Sequence, residues 1–288
     1  MKTWREILAL TVAYLEGKGV PDAAVAAELL MARLLKCGRG FLSPHFEETP
    51  AEKYLEAMRR AMARLAAGEP LQYVLGEWDF RRLTLKCDRR ALIPRPETEE
   101  LVSRVLKFLK GYAPVEGSRP LVIDVGTGTG CIALSLADEF PEADYLGIDI
   151  SADAVALAKE NAARCKLDGK VRFVVADGLD EFDEPECVDV LVSNPPYITT
   201  AECATLDPRI RNFEPMNALD GGVAGLDFYE RFASDAVNLL KSGGAVFFEI
   251  GEGQGPALER ILFDTGFNDI KIEKDYAGHD RYASAVLP

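Results

Sequence analysis

The sequence predicts an α/β protein in which a mostly parallel sheet, covered by helices on both faces, follows a small helical bundle. From Pro120 onward, short apolar runs alternate with helical segments, which is the pattern of parallel strands joined by crossover helices. The last two strand-like runs have no helix between them and predict an antiparallel hairpin at the sheet edge. Before about residue 68, apolar residues recur at helical spacing instead.

The N-terminal part is predicted to form three helices. The second opens at Pro21, in a position suited to a first helical turn, and runs to about Lys36. The third opens after Thr49, a candidate N-cap whose capping-box partner is Glu52, and Gly68 ends it. The apolar residues of the first helix share one face: Ile7, Leu8, Val12 and Leu15.

Short β-rich runs punctuated by Gly76 then predict a hairpin that links two domains. Their apolar residues are Tyr73, Leu75, Trp78, Phe80, Leu83 and Leu85. Pro94-Arg95-Pro96 breaks the chain again, and residues 97–110 are predicted to form a helix. The expected domain boundaries are 1–68, 69–95 and 96–288.

Seven further strands are predicted in the remainder of the chain. The first five are expected at 121–125, 144–149, 171–175, 188–192 and 245–250. Helices are expected near 131–138, 152–166, 226–241 and 253–265. The terminal hairpin is expected at 269–273 and 282–287. Parallel strands end at one edge of a sheet, so the loops that follow the first four strands should meet there.

Composition and charge exclude several classes of protein. Apolar residues make up 48% of the chain, enough for a core, and no apolar run is long enough to cross a bilayer. The first six residues include an acid, unlike a signal peptide. We therefore expect a cytoplasmic protein with no membrane partner.

The formal net charge of −14 is unevenly distributed. Up to Gly68 there are 10 Lys+Arg and 8 Asp+Glu, whereas the rest of the chain has a balance of −16. Such a field repels a phosphate backbone, so no nucleic-acid partner is expected, although a local basic patch could outweigh the total.

Cysteine and histidine usage predicts no metal site. The six cysteines include no Cys-x-x-Cys pair, and the two histidines, His45 and His279, are far apart. Reduced, mostly buried thiols are expected.

A glycine-rich loop follows the first strand of the predicted sheet and opens a helix. Glycine allows a sharp turn and a close approach to a ligand. A dinucleotide fingerprint would require glycine where Cys131 stands, so pyrophosphate binding is disfavoured. With Asp124 before it, the loop suits a nucleoside that carries an amino-acid tail. Its residues are Gly126, Thr127, Gly128, Thr129 and Gly130.

Two acids end the next two strands. Asp149 is placed to accept hydrogen bonds from both ribose hydroxyls of a nucleoside. Asp177, or the backbone at Gly178, could meet the adenine edge, although an exposed acid at a strand end is an equally good interpretation of Asp177.

The fourth strand is followed by Asn194-Pro195-Pro196-Tyr197. The prolines fix φ and remove two backbone donors, which leaves a rigid loop with acceptors at the Asn194 side chain and the Pro195 carbonyl. A planar NH₂ group has two N–H donors that these acceptors could bind. Tyr197 offers an aromatic plane for a flat amide or base. The loop therefore predicts methylation of an amide or amine nitrogen by S-adenosyl-L-methionine, a reaction that depends mainly on alignment.

Together these residues resemble the PrmC/HemK family of protein-glutamine methyltransferases, which modify peptide chain release factors. The likeness covers nearly the whole chain and includes the loops described above. Further motifs that carry it are Gly68-Glu69-Pro70-Leu71-Gln72-Tyr73, Leu92-Ile93-Pro94-Arg95-Pro96-Glu97-Thr98-Glu99, Glu214-Pro215, Ala218-Leu219, Glu249-Ile250-Gly251 and Ala277-Gly278-His279-Asp280-Arg281.

The resemblance implies a seven-stranded Rossmann-like class I methyltransferase sheet behind an N-terminal substrate-recognition domain and a β-hairpin linker. It implies that the substrate is the glutamine of a Gly-Gly-Gln loop, bound by residues 194–197, with the cofactor held by residues 126–130 and Asp149. We expect the chain to act as a monomer. One departure concerns Gly178, because family members often place a bulky residue after the aspartate.

Two alternatives remain open from the sequence. An exocyclic adenine amine offers the same two N–H donors, so a DNA or RNA adenine amino-methyltransferase would use the same loop, but it would need a basic groove for a flipped base. A non-catalytic binding module is the other alternative, and the intact loop at 194–197 argues against it. The role of Glu214 is open, since a solvated surface acid is a fair interpretation.

Overall fold

The computed structural model describes residues 2–113, 118–179 and 185–288. The chain folds into two compact units, and the first includes a short segment from far along the chain. The first unit comprises Met1–Glu77 and Asp207–Phe213, and the second comprises Trp78–Leu206 and Glu214–Pro288.

The helices are α1 (Trp4–Gly17), α2 (Ala23–Leu35), α3 (Glu52–Ala66), α4 (Leu71–Leu75), α5 (Pro96–Gly111), α6 (Cys131–Glu139), α7 (Ala152–Arg164), α8 (Thr200–Cys203), α9 (Pro208–Arg211), α10 (Asp227–Leu239) and α11 (Gly255–Asp264). The strands are β1 (Glu77–Phe80), β2 (Leu83–Lys86), β3 (Leu121–Val125), β4 (Asp144–Asp149), β5 (Val171–Val175), β6 (Val188–Ser193), β7 (Leu240–Glu249), β8 (Asn268–Lys274) and β9 (Asp280–Val286). Short 3-10 turns lie at Arg39–Phe41, Ser43–His45 and Met216–Ala218.

In the first unit, α1, α2 and α3 share an apolar core. Trp4, Leu15, Met31 and Met58 are almost completely buried in it. The predicted helices are therefore confirmed.

Two predictions about how these helices begin are wrong. The N-cap of α2 is Asp22 in a left-handed conformation, so Pro21 lies outside the first turn. The N-cap of α3 is Ala51, which is extended and makes no side-chain cap, so Thr49 lies too far from the helix to bond to it. The capping box of this unit instead belongs to α1, where Thr3 and Glu6 bond to each other's backbone N–H.

The predicted hairpin exists but is shorter than its β-rich runs. β1 and β2 pair as a two-stranded sheet. Tyr73 and Leu75, which the sequence places in β-rich runs, belong to the short helix α4. Pro70 directly precedes that helix, and Gly76 ends it in a left-handed conformation. These two residues suit a helix start and a C-cap, which explains why the local β propensity is overridden.

The second unit contains a seven-stranded sheet of order β5-β4-β3-β6-β7-β9-β8. The first five strands in that order are parallel, and β9 is antiparallel to β7 and β8. This confirms the predicted sheet and its terminal hairpin. The strand expected at 245–250 begins earlier, because Leu240 already pairs with Val188 before a register shift.

Apolar layers cover both faces of this sheet. Successive residues of β3 alternate between them, with Val122 packed in one layer and Ile123 in the other. α5, α6 and α7 contribute to the first layer, and α10 and α11 contribute to the second. Burial on both faces explains why the strands are continuous apolar runs.

The six cysteines are free thiols, of which Cys87 and Cys203 are buried and the others half-buried. Within the described residues, no group of three or more His, Cys, Asp or Glu side chains could hold a metal ion. No helix of the described residues is long and apolar enough to span a membrane.

Candidate active site

A cavity in the second unit lies at the carboxyl ends of the parallel strands. Gly126, Asp149, Asp177 and Asn194, which follow or end four of those strands, all line it. Of the predicted site residues, Thr127, Gly128, Thr129, Gly178, Pro195 and Pro196 also line this cavity. Gly130 and Tyr197 are not among the residues that line it.

The glycine loop turns sharply between β3 and α6. The N–H groups of Gly126 and Thr127 both donate to the Ile148 carbonyl at 2.8 Å, which ties the loop to the end of β4. Gly126 has a φ of +74° and open space where a Cβ would lie, so its backbone is accessible to a ligand. Gly130 has a φ of +80°, and a Cβ there would lie 3.1 Å from Leu134.

Asp124 is buried and forms hydrogen bonds to the glycine loop and to α6. Its Oδ2 accepts from the Thr127 hydroxyl at 2.6 Å and from the Ala133 N–H at 3.2 Å. Burial raises the pKa of this carboxyl to about 7. The acid that precedes the glycines therefore shapes the loop from the interior.

Asp149 lies at the end of β4, and both of its carboxylate oxygens accept hydrogen bonds. Oδ2 accepts from the Gly128 N–H and Oδ1 from the Ser151 N–H, each at 2.9 Å. Burial raises the pKa of this carboxyl. Each carboxylate oxygen can accept more than one hydrogen bond, so a diol can still be bound by the carboxylate.

Asp177 is held by an arginine of α10. Arg231 donates to Asp177 Oδ1 at 2.7 Å and to the Asp177 carbonyl at 2.5 Å. A Cβ at Gly178 would lie 3.0 Å from the Arg231 guanidinium. The absence of a side chain at Gly178 therefore leaves room for this ion pair.

The loop at 194–197 is supported by glycines that follow it. A Cβ at Gly221 would lie 2.5 Å from the Pro196 carbonyl oxygen, and one at Gly225 would lie 2.3 Å from the Tyr197 carbonyl oxygen. Gln254 donates to that same Tyr197 oxygen at 3.0 Å. The loop is thus fixed by close backbone packing as well as by its prolines.

Tyr197 packs against the apolar layer formed by α10 and α11. Burial raises the pKa of its phenol to about 12. Tyr197 is therefore a neutral aromatic group at physiological pH.

The side chain of Asn194 is anchored at its amide nitrogen. Nδ2 donates to the Thr98 hydroxyl at 3.2 Å, and that hydroxyl donates to Glu249 Oε2 at 2.7 Å. Thr98 also lines the cavity. With its nitrogen bound to Thr98, Asn194 presents Oδ1 as the acceptor.

Glu214 is buried, so its interpretation as a solvated surface acid is wrong. It accepts from the Ile93 N–H at 3.1 Å and pairs with Arg95 at 2.5 Å. Both partners belong to the segment before α5, and Pro215 and Arg95 both line the cavity. Glu214 therefore joins two segments of the cavity wall.

Comparison with known proteins places this site in a family. A profile described as a methyltransferase domain matches residues 118–249, and one described as the PrmC N-terminal domain matches residues 6–76. The release factor glutamine methyltransferase of Chlorobaculum tepidum is 37% identical, over 99% of this chain and 98% of that protein. The enzyme of that name from Agrobacterium fabrum is 41% identical, over 93% and 91%. The chain belongs to the release factor glutamine methyltransferase family.

A solved structure also supports the class I methyltransferase fold. The hMettl16 catalytic domain, crystallised with a MAT2A 3'UTR hairpin, matches with a TM-score of 0.59 over 77% of this chain and 82% of that one. The two share 18% sequence identity, so this likeness concerns the fold alone.

Sequence reasoning missed several residues that shape the site of this family member. Thr98 and Glu249 lie in sequence motifs that do not reveal their link to Asn194. Asn161 of α7 donates to the Thr129 carbonyl of the glycine loop, and no sequence motif marks it. The glycine-rich run at 220–225 after the proline loop was a usable signal for Gly221 and Gly225, because closely spaced glycines often mark a close backbone approach.

Proposed function

We propose that this protein transfers the methyl group of S-adenosyl-L-methionine to the side-chain amide nitrogen of a glutamine in the Gly-Gly-Gln loop of peptide chain release factors. The observation that carries this proposal is a shared cavity. The glycine loop, Asp149 and Asn194 line one cavity in a member of the glutamine methyltransferase family.

The residues present fit the cofactor. We assign its binding to Gly126, Thr127, Gly128, Thr129, Gly130, Asp149, Asp177, Gly178 and Asn194. Gly126 leaves open space for the ligand, and Asp149 suits a ribose diol. Ile150 is 61% exposed and lines the cavity, where it offers an apolar surface to a flat base. Because Arg231 occupies Asp177 Oδ1, contact with the adenine edge is expected from the backbone at 177–178.

The bound cofactor supplies an activated methyl group. Asn194, Pro195, Pro196 and Tyr197 are assigned to the reaction site, where their task is to bind and orient the glutamine amide. Asn194 Oδ1 and the Pro195 carbonyl accept the two N–H groups. These acceptors stabilise the positive charge that develops on nitrogen. One of its two protons is then lost to water, a step that requires no histidine or cysteine base.

We also propose a substrate-recognition domain at 1–68, a hairpin linker at 69–95 and a methyltransferase domain at 96–288. We further propose that the chain acts as a cytoplasmic monomer, with neither nucleic acid nor membrane as a partner. The balance of −16 beyond Gly68 supports the exclusion of nucleic acid.

The test is to offer the wild-type enzyme four kinds of substrate with labelled cofactor. These are a release factor with its Gly-Gly-Gln loop, the same factor with the glutamine changed to glutamate, the same factor with asparagine, and adenine-containing single- and double-stranded DNA. Label is expected only on the first. Glutamate lacks both N–H donors and should be rejected on the order of ten-thousandfold. Asparagine has the donors on a shorter stem and should not reach the methyl group.

An enzyme control tests the role of the loop. Asn194→Ala should slow single-turnover methyl transfer on the order of a hundredfold, as loss of one transition-state hydrogen bond does elsewhere. Its affinity for the cofactor should change much less. Labelling of DNA at a comparable rate, or undiminished labelling of the glutamate factor, would favour adenine amino-methylation instead.

A further inference from the structure

A buried line of polar side chains runs behind Asn194. Thr98 lies in the first turn of α5, between Asn194 and Glu249 at the end of β7. Thr98 is 2% exposed and Glu249 is 1% exposed, so bulk water does not replace either hydrogen bond. The order of hydrogen-bond donors and acceptors in this line therefore depends on these three side chains.

The protons that these side chains can donate determine the direction of the hydrogen bonds between them. A hydroxyl has one proton to donate, and the ionised carboxylate, the form of Glu249 above its pKa of about 7, can only accept. The Thr98 proton is therefore committed to Glu249 at 2.7 Å, and Thr98 presents only lone pairs to Asn194. Asn194 can bond to those lone pairs only through Nδ2. The acceptor at Glu249 thus determines which end of the Asn194 amide faces Thr98.

Glu249 is itself held rigidly. Its backbone pairs with Tyr282 across β7 and β9. The Tyr229 hydroxyl of α10 donates to the Glu249 carbonyl at 2.8 Å. These contacts fix the backbone of Glu249 at the position from which its Oε2 accepts from the Thr98 hydroxyl.

We propose that Thr98 and Glu249 are positioning residues that orient the Asn194 amide so that Oδ1, rather than Nδ2, meets the substrate. This rests on the proposed function, since it concerns a substrate whose nitrogen carries two donors. An Asn194 amide turned by half a rotation would place donors against donors and form no hydrogen bond.

The first experiment removes the Thr98 hydroxyl while keeping its volume. Thr98→Val should slow single-turnover methylation of the release factor by about tenfold, the upper range for one neutral hydrogen bond. Cofactor affinity, measured by calorimetry, should stay within about twofold, because Thr98 bonds to Asn194 and Glu249 rather than to the glycine loop. Thr98→Ser, which keeps the hydroxyl, should restore the rate.

A matched control makes the same substitution elsewhere. Thr11 is also 2% exposed, and its hydroxyl contacts the Met62 sulfur in the core of the first unit. Thr11→Val should leave the rate unchanged. If Thr98→Val does not fold, as judged by its thermal unfolding, Thr98→Ala provides the same comparison without introducing new atoms.

The deciding measurement is a double-mutant cycle. If Thr98 acts through Asn194, Thr98→Val should cause no further loss in an Asn194→Ala background. An equal loss in both backgrounds, or no loss from Thr98→Val alone, would overturn the proposal. A wild-type enzyme that binds the cofactor but does not label the release factor would instead overturn the proposed function.

Discussion

Replacing Asn161 with alanine should weaken both the fold of the second unit and its cofactor site. Asn161 is completely buried on α7. Its Oδ1 accepts from the Lys86 N–H at 2.6 Å, and its Nδ2 donates to the Lys86 carbonyl at 3.2 Å and to the Thr129 carbonyl at 2.9 Å. One side chain thus joins the end of the β-hairpin to the glycine loop.

The magnitude follows from these three contacts. A hydrogen bond inside a protein contributes about 1 kcal/mol, and the cost rises when the partner stays buried and unpaired. Three lost bonds therefore cost about 3 kcal/mol or more. Alanine has a higher helix propensity than asparagine and returns roughly 0.5 kcal/mol. We expect Asn161→Ala to lower the free energy of unfolding by about 2.5 kcal/mol or more.

Urea denaturation can measure this loss in the second unit alone. The chain has two tryptophans, Trp4 in the first unit and Trp78 in the second. In a Trp4→Phe background, tryptophan fluorescence reports only on the second unit. The matched control is Asn238→Ala, since Asn238 is an exposed helical asparagine of α10. That variant should change the free energy of unfolding by about 0.5 kcal/mol or less.

Calorimetry with the cofactor completes the comparison. Asn161→Ala should weaken cofactor binding several-fold because the Thr129 carbonyl loses its anchor, whereas Asn238→Ala should leave it unchanged. If the urea denaturation curves of Asn161→Ala and Asn238→Ala had equal midpoints and slopes, the reasoning would be refuted. Unchanged cofactor affinity in a destabilised Asn161→Ala would refute the link to the glycine loop alone.

Three other perturbations test separate parts of the structure. Asp149→Ala should weaken cofactor binding by about tenfold or more, since hydrogen bonds to a charged group contribute roughly 1.5–3 kcal/mol; calorimetry with unchanged affinity would remove Asp149 from the site. Burial raises the pKa of Glu249 to about 7, so the folded protein binds its proton more tightly than the unfolded chain. The wild type should therefore lose stability as the pH rises from about 4.5 to 7, whereas Glu249→Gln should not, and the difference in their free energies of unfolding should change by up to about 3 kcal/mol. A difference that stays constant over that interval would contradict this expectation. Asp189 is completely buried and accepts from Lys241, the Tyr112 hydroxyl and the Leu121 N–H; Asp189→Ala should cost about 3–5 kcal/mol in urea denaturation by leaving these three donors without their acceptor, and a cost below 1 kcal/mol would show that the contacts are dispensable.

The strands of the sheet could be predicted because burial on both faces leaves a strong local signal. Val188–Ser193, for example, is buried at every position and reads as a continuous apolar run. The glycine loop was equally visible, since its φ values of +74°, +55° and +80° are ones that glycine adopts without strain. Predictions failed where several local signals competed. The N-cap expected at Thr49 is one example. Pro50 and Ala51 extend the chain before α3 begins, so Thr49 does not reach the helix.

The identity of a residue in a motif does not determine what its side chain contacts. Asp177 was placed at the right strand end, but its Oδ1 is bonded to Arg231, which lies 54 residues further along the chain. Glu214 was visible as an acid and was interpreted as solvated, yet it is bonded to Ile93, 121 residues before it. Such partners are brought together only by tertiary packing, so no local pattern encodes them.

The same reasoning applies within a single side chain. The proline loop predicts that Asn194 supplies an acceptor, but an asparagine amide has an oxygen at one end and a nitrogen at the other. Which end faces the cavity depends on the proton of Thr98, and that proton is directed by Glu249, 151 residues away from Thr98 in the sequence. The direction of the hydrogen bond from Thr98 to Glu249, at the end of β7, therefore determines whether Asn194, in the loop after β6, offers an acceptor to the N–H groups of a substrate amide.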